Sequence, residues 1–192
     1  MLFSVPVSLG YPALAGLVLG ESAGLPLPGE TALITAGGLA AAGHLALGLV
    51  VIIAILAAVT GDTLGFWIGR RRGREVLLRD GFMAAHRRHA VARADRFFAR
   101  HGVATVFVGR FVPGVRVVAA VMAGASHMPW RRFALANTSG AVVWATTVAG
   151  LAYLLGPSGA AMLALGGLAF GALALTAGWW RQRRGMRGLA TT

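Results

Sequence analysis

The chain has 192 residues, of which 57% are hydrophobic and 12% charged, with a mean hydropathy of +0.72. A soluble domain carries about half apolar and about a quarter charged residues, so this composition excludes an ordinary water-soluble fold and points to a polytopic membrane protein of one domain. The formal net charge is +12 and cysteine is absent, which rules out disulfides and thiolate catalysis.

In chain order, residues 5–20 are apolar. The opening MLFSVPVSLGYPALAGL has no basic n-region and no A-x-A site, and is expected to be mature protein rather than a signal peptide. The run then meets ESAGLPLPGE, residues 21–30. This puts Glu21, Glu30 and the helix breakers Pro26, Pro28 and Gly29 where the chain should still be crossing ~30 Å of hydrocarbon. TALITAGGLAAAG resumes the apolar pattern to Gly43, and residues 45–69 are long enough to span with tilt.

Residues 70–101 hold ten arginines, from Arg70 to Arg100, with apolar side chains interspersed. The pattern predicts an amphipathic helix on the cytoplasmic interface, broken near Asp80-Gly81. Residues 103–125 are apolar but interrupted by Arg110, Pro113, Gly114 and Arg116. Residues 133–155 and 160–180 form two further crossings joined by a GPSG turn, ahead of the basic tail 181–192. Trp130, Trp179 and Trp180 stand beside arginines, where an interfacial aromatic belt belongs.

Arginine clusters flanking apolar segments mark cytoplasmic loops, and this distribution excludes nucleic acid as the reason for the basic charge. With 70–100 and the C-terminal tail both cytoplasmic, SHMPWRR must be cytoplasmic too. Residues 103–125 then enter and leave on one side, and the segment around 21–30 is a hairpin entered from the opposite side. The expected fold is therefore all-α and integral to the membrane, with two opposed re-entrant, Pro/Gly-broken hairpins. Opposed broken hairpins are the sequence sign of a transporter built from inverted repeats, with its site at the breaks.

The chemistry gathers at the same places. A carboxylate at membrane depth costs several kcal/mol unless it is paired, protonated or wet. Glu21 and Glu30 sharing one short break point to a pocket that exchanges protons, against the alternative that they cap helix ends at the interface. Arg110 and Arg116 bracket the second break as the acids bracket the first. They are the natural counter-charges for Glu21 and Glu30 if the tips meet, and a guanidinium also grips phosphate with a bidentate fork. The alternative is that both arginines snorkel to the interface. Asp62 reads either as a polar link between helices or as a member of the proton path. Asn137 and Trp144 read as packing or interhelical hydrogen bonding.

Enzyme signals are weak. GPSG matches the G-x-S-G of intramembrane serine proteases, but no histidine follows His127 to serve as base, and the stretch reads as a turn. His86 and His89 lie on an arginine-rich face without nearby carboxylates, so no metal or cofactor is expected.

The stretches ESAGLPLPGE, GDTLGFWIGR, FFARHG, GRFVPGVR and NTSGAVVW, in that order, resemble the DedA family, also described as VTT-domain or SNARE-associated Golgi proteins. The resemblance runs from about residue 10 to 156. It implies a bacterial inner-membrane protein with two opposed re-entrant hairpins. It also implies lipid translocation linked to the proton motive force, of undecaprenyl phosphate or phosphatidylethanolamine in some members and by scrambling in eukaryotic relatives, with roles in envelope integrity. By motif, Glu21 and Glu30 match the family's two essential acids, Arg110 and Arg116 its two essential arginines, and Asp62 a less invariant position.

The combined expectation is one transmembrane domain over 1–180 that moves a phosphate-bearing lipid without enzymatic chemistry. Arg110 and Arg116 would bind substrate, and Glu21, Glu30 and Asp62 would couple protons. Its partners would be membrane lipids and protons, with no nucleic acid, and self-association fits the fold. The rivals are a proton-coupled exporter of small cations or drugs, and a non-transporting membrane-organising protein. The topology is checked by placing a lone thiol at Ala90 (Ala90→Cys). It should react with a membrane-impermeant maleimide only after cells are broken, and labelling of intact cells would reverse the orientation.

Overall fold

The computed structural model describes residues 7–73, 84–112 and 115–188. Pro113 and Gly114, the second predicted break, lie outside the described residues, as does the break expected near Asp80-Gly81. The described residues form α1 (Val7–Ser22), α2 (Gly29–Ala41), α3 (Leu47–Ile68) with a π-helical turn at Gly69–Gly73, α4 (Ala84–Gly109), α5 (Val115–Ala125) and α6 (Trp130–Gly188). No strand occurs among them.

The first break is built by local chemistry. Gly24 takes a left-handed φ of 101°. The Leu25 N–H then reaches back to the Gly20 carbonyl at 3.0 Å, and the Gly24 N–H to that of Glu21 at 3.1 Å. This is the glycine-terminated helix end that satisfies the last carbonyls, and the prolines beyond it cannot continue the helix. The chain returns as α2, antiparallel to α1: Glu30 lies against Glu21 at one end, and the Ala46 N–H donates to Tyr11 Oη at 2.9 Å at the other.

A second antiparallel pair is formed by α4 and α5. A β-carbon on Gly109 would lie 3.5 Å from Ala119, and one on Gly102 would lie 3.3 Å from Met128 Sδ. Here the structure corrects a boundary. The expected interfacial segment ending at residue 101 and the first arm of the hairpin starting at 103 are one continuous helix, α4. No proline intervenes, and Gly102 alone does not stop a helix.

The helix α3 crosses both pairs. Gly61 meets the backbone of Leu19 and Ala23, and Gly65 and Gly69 meet Ala120 and Val121. On the other side α6 packs on α2 through Gly37, Gly38, Ala149, Ala152 and Ala160, and on α4 through Gly140. At Gly156 (φ 69°, ψ −178°) α6 bends sharply, so the GPSG stretch is a corner between two helical arms.

Among the described residues two helices are long and apolar enough to cross a membrane, Leu47–Gly73 with mean hydropathy 2.3 and Trp130–Ala169 with 1.6. Many of the buried side chains are small and many of the exposed ones large. Alanines 54, 57, 58, 120, 123, 136, 145, 149 and 152 are buried, whereas Leu56, Leu135, Leu154 and Met162 are 62–81% exposed. Water would drive those large side chains inward. Lipid does not, and helices in lipid pack through small residues that let backbones approach.

One of the two closest approaches is at Gly124, where a β-carbon would collide with the Phe66 carbonyl and lie 2.8 Å from Arg70 N. Overpacking of this kind costs about 1–3 kcal/mol. Gly124→Ala is therefore expected to lower the Tm in detergent clearly. Gly150→Ala, where nothing lies within 4 Å, should leave the Tm unchanged or raise it.

Candidate functional site

The helix ends that carry the singled-out charges meet. Glu21 ends α1, Glu30 stands in the first turn of α2, Arg110 follows the last residue of α4, and Arg116 is the second residue of α5. The N-terminus of α2 lacks a side-chain cap, because Pro28 occupies the cap position. Glu21 supplies the missing acceptor from across the turn: the Glu30 N–H donates to Glu21 Oε2 at 2.8 Å. A carboxylate there also complements the positive end of the α2 dipole. Gly29 makes room for it, since a β-carbon would strike that same oxygen and lie 2.9 Å from the Leu17 carbonyl.

The other Glu21 oxygen, Oε1, is 3.1 Å from Arg116 Nη2. Arg116 sits in the first turn of α5, where a helix dipole disfavours a cation, so the carboxylate offsets two unfavourable ends at once. The buried guanidinium also lies over Trp144 of α6, with Cζ 5.7 Å from the ring centroid. Cation–π contacts of this kind strengthen when water is excluded.

Arg110 is paired differently. Its Nη2 donates to Asp62 Oδ2 of α3 and to Asn137 Oδ1 of α6. Asn137 in turn donates through Nδ2 to the Val59 carbonyl at 3.4 Å. All three side chains are buried. Arg110 Nε and Nη1 and Asp62 Oδ1 have no hydrogen-bond partner among the described residues. Two donors of a fork built for oxyanions are thus left unused.

The expectation that both arginines answer the two acids of the first break holds for Arg116 and Glu21 only. Arg110 goes to Asp62, and the side chain of Glu30 makes no ion pair among the described residues. The reason is position: Arg110, just past the end of α4, reaches Asp62 of α3 and Asn137 of α6. A cavity of about 110 Å³ separates these groups, lined by Glu21, Glu30, Arg110, Arg116, Trp144 and two apolar side chains, Phe111 and Val148. Three carboxylates and two guanidiniums therefore lie near one another, with Asp62, Arg110 and Arg116 buried and Glu21 and Glu30 half-buried, and the group is electrically neutral when one carboxyl holds a proton.

Asn137 and Trp144 were readable as packing residues but not as members of the site. They stand seven residues apart, two helical turns on one face, and that spacing of a polar and an aromatic residue on an apolar helix is the signal that could have linked them. Among the described residues no group of three His, Cys, Asp or Glu side chains is placed to hold a metal.

An all-helical chain with many small buried and large exposed side chains and a cluster of buried and half-buried charges is a membrane protein. Comparison with known proteins specifies it further. The VTT domain matches residues 27–154. An uncharacterized membrane protein of Synechocystis is 42% identical over 147 residues, covering 77% of this chain and 67% of the relative. An uncharacterized membrane protein of Mycobacterium bovis is 39% identical over 164 residues, covering 81% and 73%. Protein DedA of Escherichia coli is 37% identical over 120 residues, covering 62% and 54%. No solved structure matches. The chain belongs to the DedA family of VTT-domain proteins.

Removing one partner of a buried ion pair leaves an uncompensated charge and costs about 3–5 kcal/mol. Asp62→Ala is accordingly expected to lower the Tm in detergent strongly. The double variant Asp62→Leu/Arg110→Leu should lose less than the sum of its two single variants, because no lone charge remains. Additive losses would mean that Asp62 and Arg110 act independently.

Proposed function

We propose that this protein translocates a phosphate-bearing lipid across the bacterial inner membrane, driven by protons. One observation carries the reading: the ends of α1, α2, α4 and α5 bring three acids and two arginines of an otherwise apolar chain close together. Two antiparallel helix pairs suit hairpins that dip into the bilayer from opposite faces. Irregular backbone and charge at that depth are tolerated only around a wet, protein-lined cavity. The arginine-rich side is cytoplasmic in this reading.

Arg116 and the free Nε and Nη1 of Arg110 would receive the phosphate, and the cavity of about 110 Å³ has the volume of roughly three or four waters at ~30 Å³ each. That is room for a headgroup's oxyanion and not for a hydrocarbon chain, which would stay in the bilayer. Glu30, the acid without an ion pair, would be the carboxyl that takes up the proton. A proton reaching Glu21 would weaken its hold on Arg116 and free that guanidinium for substrate. The excess carboxylate also suits a proton-coupled exporter of small cations, but such a site has no use for two buried arginines.

The test is reconstitution into liposomes with headgroup-labelled phospholipid or undecaprenyl phosphate, with and without a pH gradient. Arg110→Lys and Arg116→Lys should insert normally yet lose most transport, because an ammonium keeps the charge without the fork. Glu30→Gln should lose the response to the gradient. Full transport by both lysine variants would reject phosphate recognition by arginine, and cation efflux without lipid movement would favour the exporter.

A further inference from the structure

We propose that the groove between α4 and α6 is an access site for an anionic phospholipid. It would hold the headgroup phosphate at its mouth and a hydrocarbon chain along its wall, one step before Arg110. This rests on the lipid-transport reading above and names where that lipid is first taken. The groove encloses about 820 Å³ and is bounded by α4 from Phe98 to Val108 and by the chain from Ser126 to Ser139.

Its two ends differ chemically. The mouth carries Arg100, His101, His127 and Arg132, all exposed, and among the described residues no acidic side chain lines the groove. His127 stands there at φ 56°, in the left-handed position that closes α5, which glycine fills most easily. The chain accepts a strained backbone at this point and gains an imidazole at the mouth. Farther in, the walls are apolar, with Phe107, Val108 and Leu135.

At Ser139 the groove reaches the neighbour of Gly140, whose β-carbon, if present, would lie 3.4 Å from Arg110 Nε. That is one of the two Arg110 donors without a partner. The height also fits. Nine residues separate His101 from Arg110 along the helix, about 14 Å of rise, close to half of a ~30 Å hydrocarbon core. A headgroup held by the mouth at the interface would lie one half-bilayer from the buried fork. A soluble phosphate would have no use for the apolar wall. An anionic lipid matches both ends, with its phosphate on the guanidiniums and its chain on the aromatic and aliphatic face.

The test uses the full chain in phosphatidylcholine vesicles without a gradient. The chain contains no cysteine, so a single fluorophore can be attached at Leu135→Cys in the groove or at Leu154→Cys, which is 81% exposed elsewhere on α6. Phosphatidylglycerol with brominated acyl chains should quench the Leu135 label several-fold more strongly than brominated phosphatidylcholine, and the Leu154 label equally with either. Arg100→Glu combined with Arg132→Glu should erase the preference, whereas Arg110→Lys should keep it, because the mouth is intact. Equal quenching by both lipids at Leu135 would overturn the access site, as would relief of quenching by added inorganic phosphate. So would disulfide-linked dimers of Leu135→Cys, which would put a second copy in the groove. A preference that survives when no transport can be measured would instead overturn the transport reading. Wild-type transport by the Arg100→Glu/Arg132→Glu variant would remove the access site alone.

Discussion

The carboxylate of Glu21 is bonded in two directions, and the arrangement of the broken segments depends on it. One oxygen accepts the N–H at the start of α2, the other faces the guanidinium of Arg116 at the start of α5. Both helix ends need it: the first has a proline where a capping side chain would stand, and the second carries a cation at its positive pole. In a low-dielectric interior these charge-assisted contacts are much stronger than in water. One side chain therefore joins three elements that are separated by up to 95 residues of sequence.

That junction requires close backbones. Gly29 admits the carboxylate, Gly61 brings α3 onto the end of α1, and Gly124 brings α5 onto α3. The buried alanines serve the same end, and many large aliphatic side chains, such as Leu56, Leu135 and Leu154, face outward. Small interior residues provide little hydrophobic stabilisation, but in lipid that term is absent and dispersion between near backbones takes its place. The same closeness fixes Asp62 and Asn137 against Arg110.

The polar groups thus separate into a rigid set and a labile set. Arg110 is locked by two acceptors on two helices, and Trp144 backs Arg116. Glu30 has no such hold and borders the cavity. A site that must change charge while keeping its shape needs this division, with the cations positioned by packed neighbours and one acid left unpaired. The groove between α4 and α6 ends at Ser139, next to Gly140, which packs on the locked arginine.

The amino-acid pattern determined much of this by itself. Composition pointed to a membrane, the prolines and glycine at 26–29 marked where the first apolar run breaks, and the charges inside apolar runs, Glu21, Glu30, Arg110 and Arg116, stood out as candidates for pairing or for function. These are local signals, legible because a charge or a proline in hydrocarbon has so few acceptable explanations. Which charge pairs with which was not legible, since the symmetry of two acids and two arginines suggested a match that the direction of α4 does not permit. Asn137 and Trp144 also escaped as site residues, because a polar or aromatic residue on an apolar helix has many ordinary uses. The continuity of α4 through residue 102 was likewise hidden, as a lone glycine neither ends nor guarantees a helix. Helix periodicity fixes what lies on one face of a segment, but the choice of partner depends on how helices far apart in sequence cross. Only the tertiary structure decided that.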